Sequence, residues 1–310
     1  MKCLILGGNG FLGKHICRRL LDEGHEVIIF DMSETHNFAD KDKVTYLRGN
    51  FLNSDDISKA IRGCDVIYHL IWSTVPKNSN EDMVNDVYTN VIGTIQMLSI
   101  AVKTVRKVIF VSSGGTVYGI PQSLPIKENH PTLPICSYGI SKLTIERYLH
   151  LFYSLHGLDY IVLRVSNLYG TGQRAGTEQG AIGVFLDKAC SDACIDIWGD
   201  GMVTRDYVYV KDAAKAFVKA LHYQGKEKIF NIGSGEGKKI NDIIEAIELL
   251  LGRPVKRKYL AARNFDVPAN ILDCSLAKQE LGWLPKIGFI EGISQTIAEY
   301  YSKSDATIGA

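Results

Sequence analysis

The feature that most constrains the fold is a glycine-rich turn near the start of the chain, Gly7-Gly8-Asn9-Gly10-Phe11-Leu12-Gly13. An apolar run, Cys3–Leu6, precedes the turn, and a stretch with apolar residues at helical spacing follows it (Ile16, Leu20 and Leu21). This order predicts a buried strand, a tight turn and a helix. Glycines let backbone N–H groups approach an anion closely, and a helix N-terminus carries partial positive charge. The segment therefore predicts a site for the pyrophosphate of a dinucleotide.

The residue after the second predicted strand indicates which dinucleotide is bound. The strand Val27–Phe30 ends at Asp31, about 18 residues beyond Gly13. A carboxylate there accepts hydrogen bonds from both hydroxyls of an adenine ribose and repels a 2′-phosphate. No arginine follows in Met32-Ser33-Glu34. The sequence therefore predicts NAD as the cofactor rather than NADP.

Composition and charge exclude several classes of protein. The 310 residues carry 35 Lys and Arg against 34 Asp and Glu, for a net charge of +1, so we expect no nucleic-acid partner. The apolar segments are far shorter than the ~20 residues that span a bilayer, so we expect no membrane partner. Met1-Lys2 leads directly into the first strand, so we expect no signal peptide.

The seven cysteines are scattered, and several lie in apolar runs, which is typical of reduced thiols in a cytoplasmic protein. Cys190 and Cys194 share a face if a helix continues through that segment. They have no histidine or acidic partner at metal-binding spacing. We interpret them as a packed helix face or its exposed end, and we expect no metal.

Strands and helices alternate through the first half of the chain, which predicts an α/β fold: a Rossmann-type, doubly wound parallel sheet with a smaller C-terminal α/β substrate domain. We assign residues 1–166 to the NAD-binding domain, with segments of 204–235 returning to it, and 167–310 mainly to the substrate domain. The later predicted strands are Val44–Leu47, Asp65–Leu70, Lys107–Ser112 and Asp159–Leu163, and the helices are Ile57–Arg62, Val87–Lys103 and Ile140–His156.

Tyr138 and Lys142 are the candidate catalytic pair. They stand four residues apart at the start of a predicted helix, so both lie on one face. A tyrosine titrates near 10, and a neighbouring ammonium group or an oxidised nicotinamide favours its phenolate. We therefore expect Tyr138 to act as a general base, with Lys142 lowering its pKa and holding the nicotinamide ribose. A tyrosine and a lysine four residues apart occur by chance in many helices. The position of this helix after the fifth predicted strand is what favours a catalytic role for the pair.

The fifth predicted strand leads into Ser112-Ser113-Gly114-Gly115-Thr116-Val117-Tyr118-Gly119. Hydroxyl groups at the carboxyl end of a central strand lie where substrate and nicotinamide would meet. A serine there can bind the reacting hydroxyl and pass its proton to Tyr138. Without the downstream tyrosine and lysine, a simple Ser/Gly turn explains the segment equally well.

These motifs resemble the extended short-chain dehydrogenase/reductases, specifically NAD-dependent nucleotide-sugar epimerases of the UDP-galactose 4-epimerase type. The resemblance covers almost the whole chain. It rests also on Leu163-Arg164-Val165-Ser166-Asn167-Leu168-Tyr169-Gly170, Arg205-Asp206-Tyr207-Val208-Tyr209-Val210-Lys211-Asp212 and Glu280-Leu281-Gly282-Trp283-Leu284-Pro285. It implies a nucleotide-sugar substrate and a homodimer formed through Val87–Lys103 and the helix beginning at Tyr138.

The resemblance also implies roles for individual residues. Asn167 would contact the sugar diphosphate, Arg205 and Arg263 would clasp the UDP phosphates, and Asn90 would face the nicotinamide half of NAD; otherwise Asn90 is a helix-surface residue. The full cofactor set is Gly7, Gly10, Phe11, Leu12, Gly13, Asp31, Asn50, Phe51, Leu70, Asn90, Tyr138 and Lys142. The substrate set is Ser113, Thr116, Tyr138, Asn167, Arg205, Arg263 and Asn270.

Several positions depart from the family pattern. Gly114 replaces a third serine, so we assign the active hydroxyl to Ser113, with Thr116 as the alternative. Asn50 stands where an aspartate usually contacts the adenine, and an amide can still donate and accept there. Trp72 stands among residues that are small in most relatives, where it either shapes the pocket or belongs to the core.

The choice of reaction rests on the acidic residues of related enzymes that this chain lacks after the fifth predicted strand. Related dehydratases carry an Asp-Glu pair where this chain has Gly114 and Gly115, which cannot transfer protons. Related decarboxylases likewise tend to hold an acid there. We therefore predict 4-epimerisation of a UDP-sugar (UDP-Glc/UDP-Gal or UDP-GlcNAc/UDP-GalNAc). The alternatives are a nucleotide-4-keto-sugar reductase and a non-catalytic NAD-binding protein.

Asn270 bears on substrate size. In the resembling epimerases a tyrosine at the matching position excludes N-acetylated sugars, and asparagine is much smaller. We expect the pocket to admit a C2 N-acetyl group. Alternatively, Asn270 caps a local turn before Asp273.

Overall fold

The fold is built around a seven-stranded parallel sheet. The computed structural model describes residues 1–34, 38, 41–76, 78–173, 180–262 and 267–308. The sheet contains β1 (Lys2–Leu6), β2 (Glu26–Asp31), β3 (Val44–Arg48), β4 (Val66–His69), β5 (Lys107–Ser113), β6 (Asp159–Val165) and β10 (Ile229–Ile232). Their order across the sheet is β3-β2-β1-β4-β5-β6-β10, and every pair is parallel. This architecture confirms the predicted Rossmann-type fold class.

Helices cover both faces of the sheet. They are α1 (Phe11–Asp22), α2 (Ser54–Ile61), α3 (Met83–Asp86), α4 (Gly93–Ala101), α5 (Ser137–His156), α6 (Ala181–Cys190), α7 (Val210–His222), α8 (Ile240–Leu251), α9 (Ser275–Leu281) and α10 (Phe289–Ile308). The apolar side chains of α1, α7 and α9 form one buried cluster with Cys3 and Ile5. Those of α2, α4 and α5 form a second cluster with Leu4 and Leu6. Alternate residues of β1 thus enter opposite cores, as expected for a strand buried on both faces.

The helix predicted over Val87–Lys103 is not one regular α-helix. The turns of α3 are followed by a π-helical segment, Val87–Ile92, and α4 begins only at Gly93. Such wide turns concentrate at functional sites. Here the segment carries Asn90. The predicted strands and the other predicted helices are confirmed, with ends that differ by at most three residues.

The C-terminal half adds two smaller sheets. β7 (Asn167–Tyr169), β9 (Thr204–Tyr209), β11 (Gly237–Lys239) and β13 (Ala269–Asn270) form one, and β8 (Ile195–Trp198) pairs with β12 (Arg257–Leu260) in the other. A third apolar cluster joins α6, α8 and α10 to these strands. Because β10 extends the central sheet and α7 packs against α1, part of 204–235 lies with the first half. The domain division itself stays a prediction.

Within the described part of the chain, the helices are all too short or too polar to cross a bilayer.

Candidate active site

The glycine turn forms a close-packed cradle at the carboxyl end of β1. Gly7 has a φ of +83°, and its N–H donates to the carbonyl of Phe30 at 2.8 Å. A Cβ at Gly13 would lie 2.5 Å from the Gly7 carbonyl oxygen, so a side chain there would separate the turn from α1. Gly10 begins α1 without a side-chain cap, and the first turn holds no acidic residue. The helix N-terminus is therefore available to an anion, which fits a dinucleotide pyrophosphate.

Asp31 lies beside this cradle. Its carboxylate accepts the N–H of Asn9 at 3.3 Å and, on the other oxygen, the N–H of Ser33 at 3.2 Å and its hydroxyl at 3.0 Å. These contacts fix the carboxylate at the end of β2, next to the turn, which fits the role expected toward an adenine ribose.

The other residues predicted to contact the cofactor make structural contacts of different kinds. Asn50 Oδ1 accepts the N–H of Leu52, so its amide organises the loop after β3. Phe51 and Leu12 are buried in the cores on either side of the sheet. Contact of Phe51 with a cofactor would therefore use its backbone. Leu70 continues the ladder by donating its N–H to the Leu6 carbonyl.

Asn90 is buried, so its alternative interpretation as a helix-surface residue is wrong. Its Oδ1 accepts the N–H of Ser73 at 3.0 Å, and its Nδ2 donates to Asp86 at 3.0 Å. The side chain thus ties the π-helical segment to the chain leaving β4. A direct contact with nicotinamide stays a prediction.

Tyr138 and Lys142 lie one turn apart on α5, with Trp72 against both. The Lys142 Nζ lies 3.6 Å from the Trp72 ring centroid and 5.5 Å from that of Tyr138, and it donates to the Val111 carbonyl at 2.8 Å. The rings of Trp72 and Tyr138 meet edge to face at 5.3 Å. Trp72 therefore forms a wall of the catalytic pair in contact with the ammonium group, as well as touching the core.

The electrostatics of this pair differ from the expectation that Lys142 lowers the pKa of Tyr138. Burial, with smaller contributions from Cys136 and Asp86, raises the pKa of Tyr138 well above its usual value. Burial also lowers the pKa of Lys142 well below its usual value, and Glu146 and Asp86 offset this in part. Removal from water disfavours both charged forms. The protein alone thus keeps Tyr138 neutral.

A buried carboxylate that the sequence analysis missed, Asp86, holds the catalytic turn in place. It accepts the hydroxyls of Ser137 at 2.9 Å and Ser141 at 2.7 Å, and also that of Thr74. Ser137 directly precedes Tyr138 in the chain, and Ser141 directly precedes Lys142, the two candidate catalytic residues. The sequence signal was its spacing: Asp86 lies four residues before Asn90 and so shares its helix face.

The loop after β5 brings Ser113 and Asn167 together around Gly115. A Cβ at Gly115 would lie 3.9 Å from Ser113 Oγ and 3.8 Å from Asn167 Oδ1, so the glycine leaves space between two polar groups. Thr116 Oγ1 is buried and has no hydrogen-bond partner among the described residues. A Cβ at Gly139 would lie 2.9 Å from the Thr116 carbonyl oxygen. The loop therefore abuts the turn of α5 that carries Tyr138.

Asn270 reaches the same loop from β13. Its side chain is 1% exposed, and Nδ2 donates to the Gly114 carbonyl at 3.0 Å. Its Oδ1 lacks a hydrogen-bond partner within the described residues. The side chain bonds across to the loop after β5 and, among the described residues, not to the backbone before Asp273, so the turn-cap alternative is wrong.

Of the two arginines predicted to bind phosphate, the structure describes Arg205 but not Arg263. Arg205 on β9 donates from Nη1 to the carbonyls of Thr204 at 2.9 Å and Val267 at 2.6 Å. This joins β9 to the segment entering β13. Arg263 lies outside the described residues, and its role stays a prediction.

A buried ion pair joins the helix that carries Tyr138 and Lys142 to the central sheet. Arg164 on β6 donates to both carboxylate oxygens of Glu146, from Nε at 3.1 Å and Nη2 at 2.6 Å. The hydroxyl of Ser112 donates to the same carboxylate at 2.5 Å. Glu146 lies one turn beyond Lys142, so the pair joins α5 to the ends of β5 and β6.

Cys190 and Cys194 do not share a helix face, because the helix does not continue through the segment that joins them. Helix α6 ends at Cys190, and Cys194 is exposed in the connection to β8. Both thiols are free, as are the other five in the chain.

Comparison with known proteins agrees with this geometry. A family model described as the NAD dependent epimerase/dehydratase family matches residues 3–233. The chain is 38% identical over 301 residues to a putative UDP-glucose 4-epimerase of Methanocaldococcus jannaschii, covering 95% of this chain and 96% of the relative. It is 34% identical to a dTDP-4-dehydro-6-deoxyglucose reductase of Escherichia coli, covering 95% and 96%.

Among solved structures, the fold is similar to the UDP-glucose 4-epimerase of Thermotoga maritima determined with UDP-glucose. The TM-score is 0.93 at 31% identity, covering 98% of this chain and all of the other.

Proposed function

The chain belongs to the NAD dependent epimerase/dehydratase family, and on that premise we propose that it catalyses 4-epimerisation of a UDP-sugar through a transient 4-keto intermediate. The observation that carries this proposal is the placement of Tyr138 and Lys142 on one turn of α5, against the loop that leaves β5. The substrate pairs are UDP-Glc with UDP-Gal, or UDP-GlcNAc with UDP-GalNAc.

Each polar side chain of the site has a task in this reaction. Tyr138 takes the proton of the C4 hydroxyl, and Ser113, with Thr116 as the alternative, binds that oxygen and relays the proton. Bound NAD would supply the hydride chemistry at C4 and, when oxidised, a positive charge beside Tyr138. Since burial raises the pKa of Tyr138, that charge favours the phenolate only when the cofactor is oxidised. Lys142 would hold the ribose; burial disfavours its charged form, so the oxidised cofactor would be the main source of positive charge beside Tyr138.

The substrate is positioned from the C-terminal half of the chain. Asn167, whose amide oxygen faces the same space beside Gly115 as the Ser113 hydroxyl, would contact the sugar diphosphate. Arg205 and Arg263 supply guanidinium donors suited to a diphosphate. Arg205 already bonds to backbone carbonyls, so this role requires it to share those donors with the phosphates or to change conformation.

A ketoreductase is the second candidate, because a relative from Escherichia coli has that name at 34% identity. A reductase uses the same tyrosine and lysine but releases its oxidised cofactor after each turnover. An epimerase regenerates the cofactor in place, so it turns over UDP-sugars without added NADH. Incubating the protein with UDP- and dTDP-sugars, and with 4-keto sugars plus NADH, separates the two.

The test of the catalytic assignment is Tyr138→Phe. We expect turnover to fall by about 10²–10⁴-fold, because the proton acceptor is lost while the ring stays. Bound NAD, measured by absorbance after denaturation, should remain. Tyr153→Phe is the matched control, since Tyr153 lies on the same helix with its ring exposed. Retention of more than a tenth of the activity in Tyr138→Phe would remove Tyr138 from its role.

We also propose that the protein is a cytoplasmic homodimer. The free cysteines support the location. For the dimer, exposed apolar side chains recur at helical spacing on two faces. Val84 on α3, at 81%, is followed by Tyr88 and Ile92 on the π-helical segment, and Ile140, Leu151 and Leu155 lie on α5. An apolar face of this kind is typical of an interface between copies.

The dimer is tested by placing a charge on that face. Leu151→Glu should yield monomers in sedimentation at micromolar concentration. Leu249→Glu, at an exposed leucine on α8, should leave the dimer intact. A wild-type protein that sediments only as a monomer contradicts the proposal.

A further inference from the structure

Two histidines and a glutamate meet at the edge of the sheet opposite the candidate active site. Glu23 follows the last turn of α1, His25 precedes β2, and His222 is the last residue of α7. Both helices begin after the carboxyl end of a strand and run back across the sheet. Their ends therefore lie at the amino edge of the strands, away from Tyr138.

The three side chains present their ligand atoms to one point. Glu23 Oε2 lies 3.9 Å from His25 Nε2 and 3.5 Å from His222 Nε2, and all three atoms lie within 4.8 Å of one another. Gly24, with a φ of +76°, makes the turn that brings Glu23 and His25 to the same side. In a tetrahedral zinc site with bonds of about 2.1 Å, neighbouring ligand atoms are about 3.4 Å apart. The separation of Glu23 from His222 is close to that value, and the separation of Glu23 from His25 is longer.

The state of His25 is a second, independent observation. Its side chain is only 10% exposed, and Nε2 is buried without a hydrogen-bond partner among the residues described. The other ring nitrogen, Nδ1, lies 3.4 Å from the α-amino nitrogen of Met1, which orients the ring with Nε2 toward Glu23 and His222. A buried polar nitrogen normally has a partner. A metal ion among the three side chains would supply one.

We propose that Glu23, His25 and His222 bind a divalent transition-metal ion, with Zn²⁺ as the best match, and that the ion ties the end of α1 to the end of α7. Two imidazoles and a carboxylate are ligands that Zn²⁺ takes with a water in the fourth position. Glu23 and His222 are about half exposed, so the ion can enter from solvent. This site differs from the sequence-based expectation of no metal, which weighed only Cys190 and Cys194.

The alternative is a simple ion pair between protonated His222 and Glu23, which uses the same atoms. Titration of the tag-free protein with Zn²⁺ in a calorimeter separates the two. We expect saturable one-to-one binding at micromolar Zn²⁺ and a rise in melting temperature with metal concentration, because the ion binds only the folded chain. No saturable binding overturns the proposal.

Variants locate the ion. His222→Gln and Glu23→Gln change exposed side chains, and each should weaken Zn²⁺ binding by about tenfold or more through loss of one ligand. His156→Gln is the matched control, an exposed histidine at the end of α5. Co²⁺ gives a spectroscopic check, since only thiolate ligands add strong near-ultraviolet charge-transfer bands. Binding that survives His222→Gln but is lost in Cys194→Ser contradicts the assignment.

Discussion

The buried pair of Glu146 and Arg164 gives the sharpest test of how the catalytic helix is held. The side chains are 1% and 2% exposed, and the guanidinium group makes two hydrogen bonds to the carboxylate. Glu146→Gln removes the carboxylate that pairs with Arg164, whose other hydrogen bonds go to the Tyr118 hydroxyl and the Glu128 carbonyl. Breaking a buried pair on one side costs about 3–5 kcal/mol of unfolding free energy. We expect that loss, measured by urea denaturation with an unchanged m value.

Two control variants make this prediction specific to the buried ion pair. Asp22→Asn breaks an exposed pair on α1, where Arg18 lies 3.0 Å from Asp22, and should cost less than about 1 kcal/mol. Replacing both buried partners, Glu146→Leu with Arg164→Met, should cost less than the sum of the single changes, since no charge is left alone. If Glu146→Gln costs no more than Asp22→Asn, the pair does not hold the helix.

The same substitution should move the pH profile. Glu146 raises the pKa of Lys142, partly offsetting the larger lowering by burial. Without that charge the pKa of Lys142 falls further, so the ammonium group is lost at a lower pH. The alkaline limb of the kcat/KM profile should therefore shift to lower pH. A profile that stays in place would show that Lys142 does not titrate in that limb.

Three further substitutions test the ligand contacts. Asp31→Ala should weaken NAD binding and reduce discrimination against NADP, because a repulsive carboxylate is removed; an unchanged preference in a binding titration would remove Asp31 from the site. Asn270→Tyr should slow N-acetylated sugars more than their hydroxyl counterparts, whereas equal slowing would mean that the ring only breaks the buried bond to Gly114. Trp72→Ala should lower turnover about tenfold through loss of a desolvated cation–π contact with Lys142, and Trp72→Phe should retain most of it; equal rates in the two variants would contradict the contact.

Much of the fold and the site could be predicted because their signals are local. The glycine turn, Asp31 and the pair Tyr138 and Lys142 each lie within one short segment whose spacing fixes the geometry. The family match confirms the NAD-dependent epimerase interpretation that these motifs gave. Their order along a parallel sheet then places them at one edge, since every strand ends there.

Contacts between distant segments could not be predicted in the same way. Trp72 lies on Lys142, and Asp86 binds Ser137 and Ser141, yet each pair is separated by at least 50 residues. Periodicity along an element shows which face is apolar but not which side chain of another element meets it. The metal ligands are a still clearer case, because Glu23 and His222 come together only through the packing of α1 on α7.

The electrostatics of Tyr138 follow from those distant contacts and set how the site should work. The helical spacing of Tyr138 and Lys142 predicts a phenolate stabilised by the lysine. In the structure, burial disfavours the charged forms of both Tyr138 and Lys142, and Asp86 adds a negative charge nearby. The tyrosine is thus held as a neutral hydroxyl until positive charge arrives with an oxidised cofactor. The protonation state of Tyr138 would then follow the redox state of the cofactor: NAD⁺ would favour the phenolate, the form that can accept the sugar's proton, and NADH would favour the neutral hydroxyl, the form that carries the proton to be returned. On the proposed assignment, that coupling would let Tyr138 serve both halves of an epimerisation without a second acid.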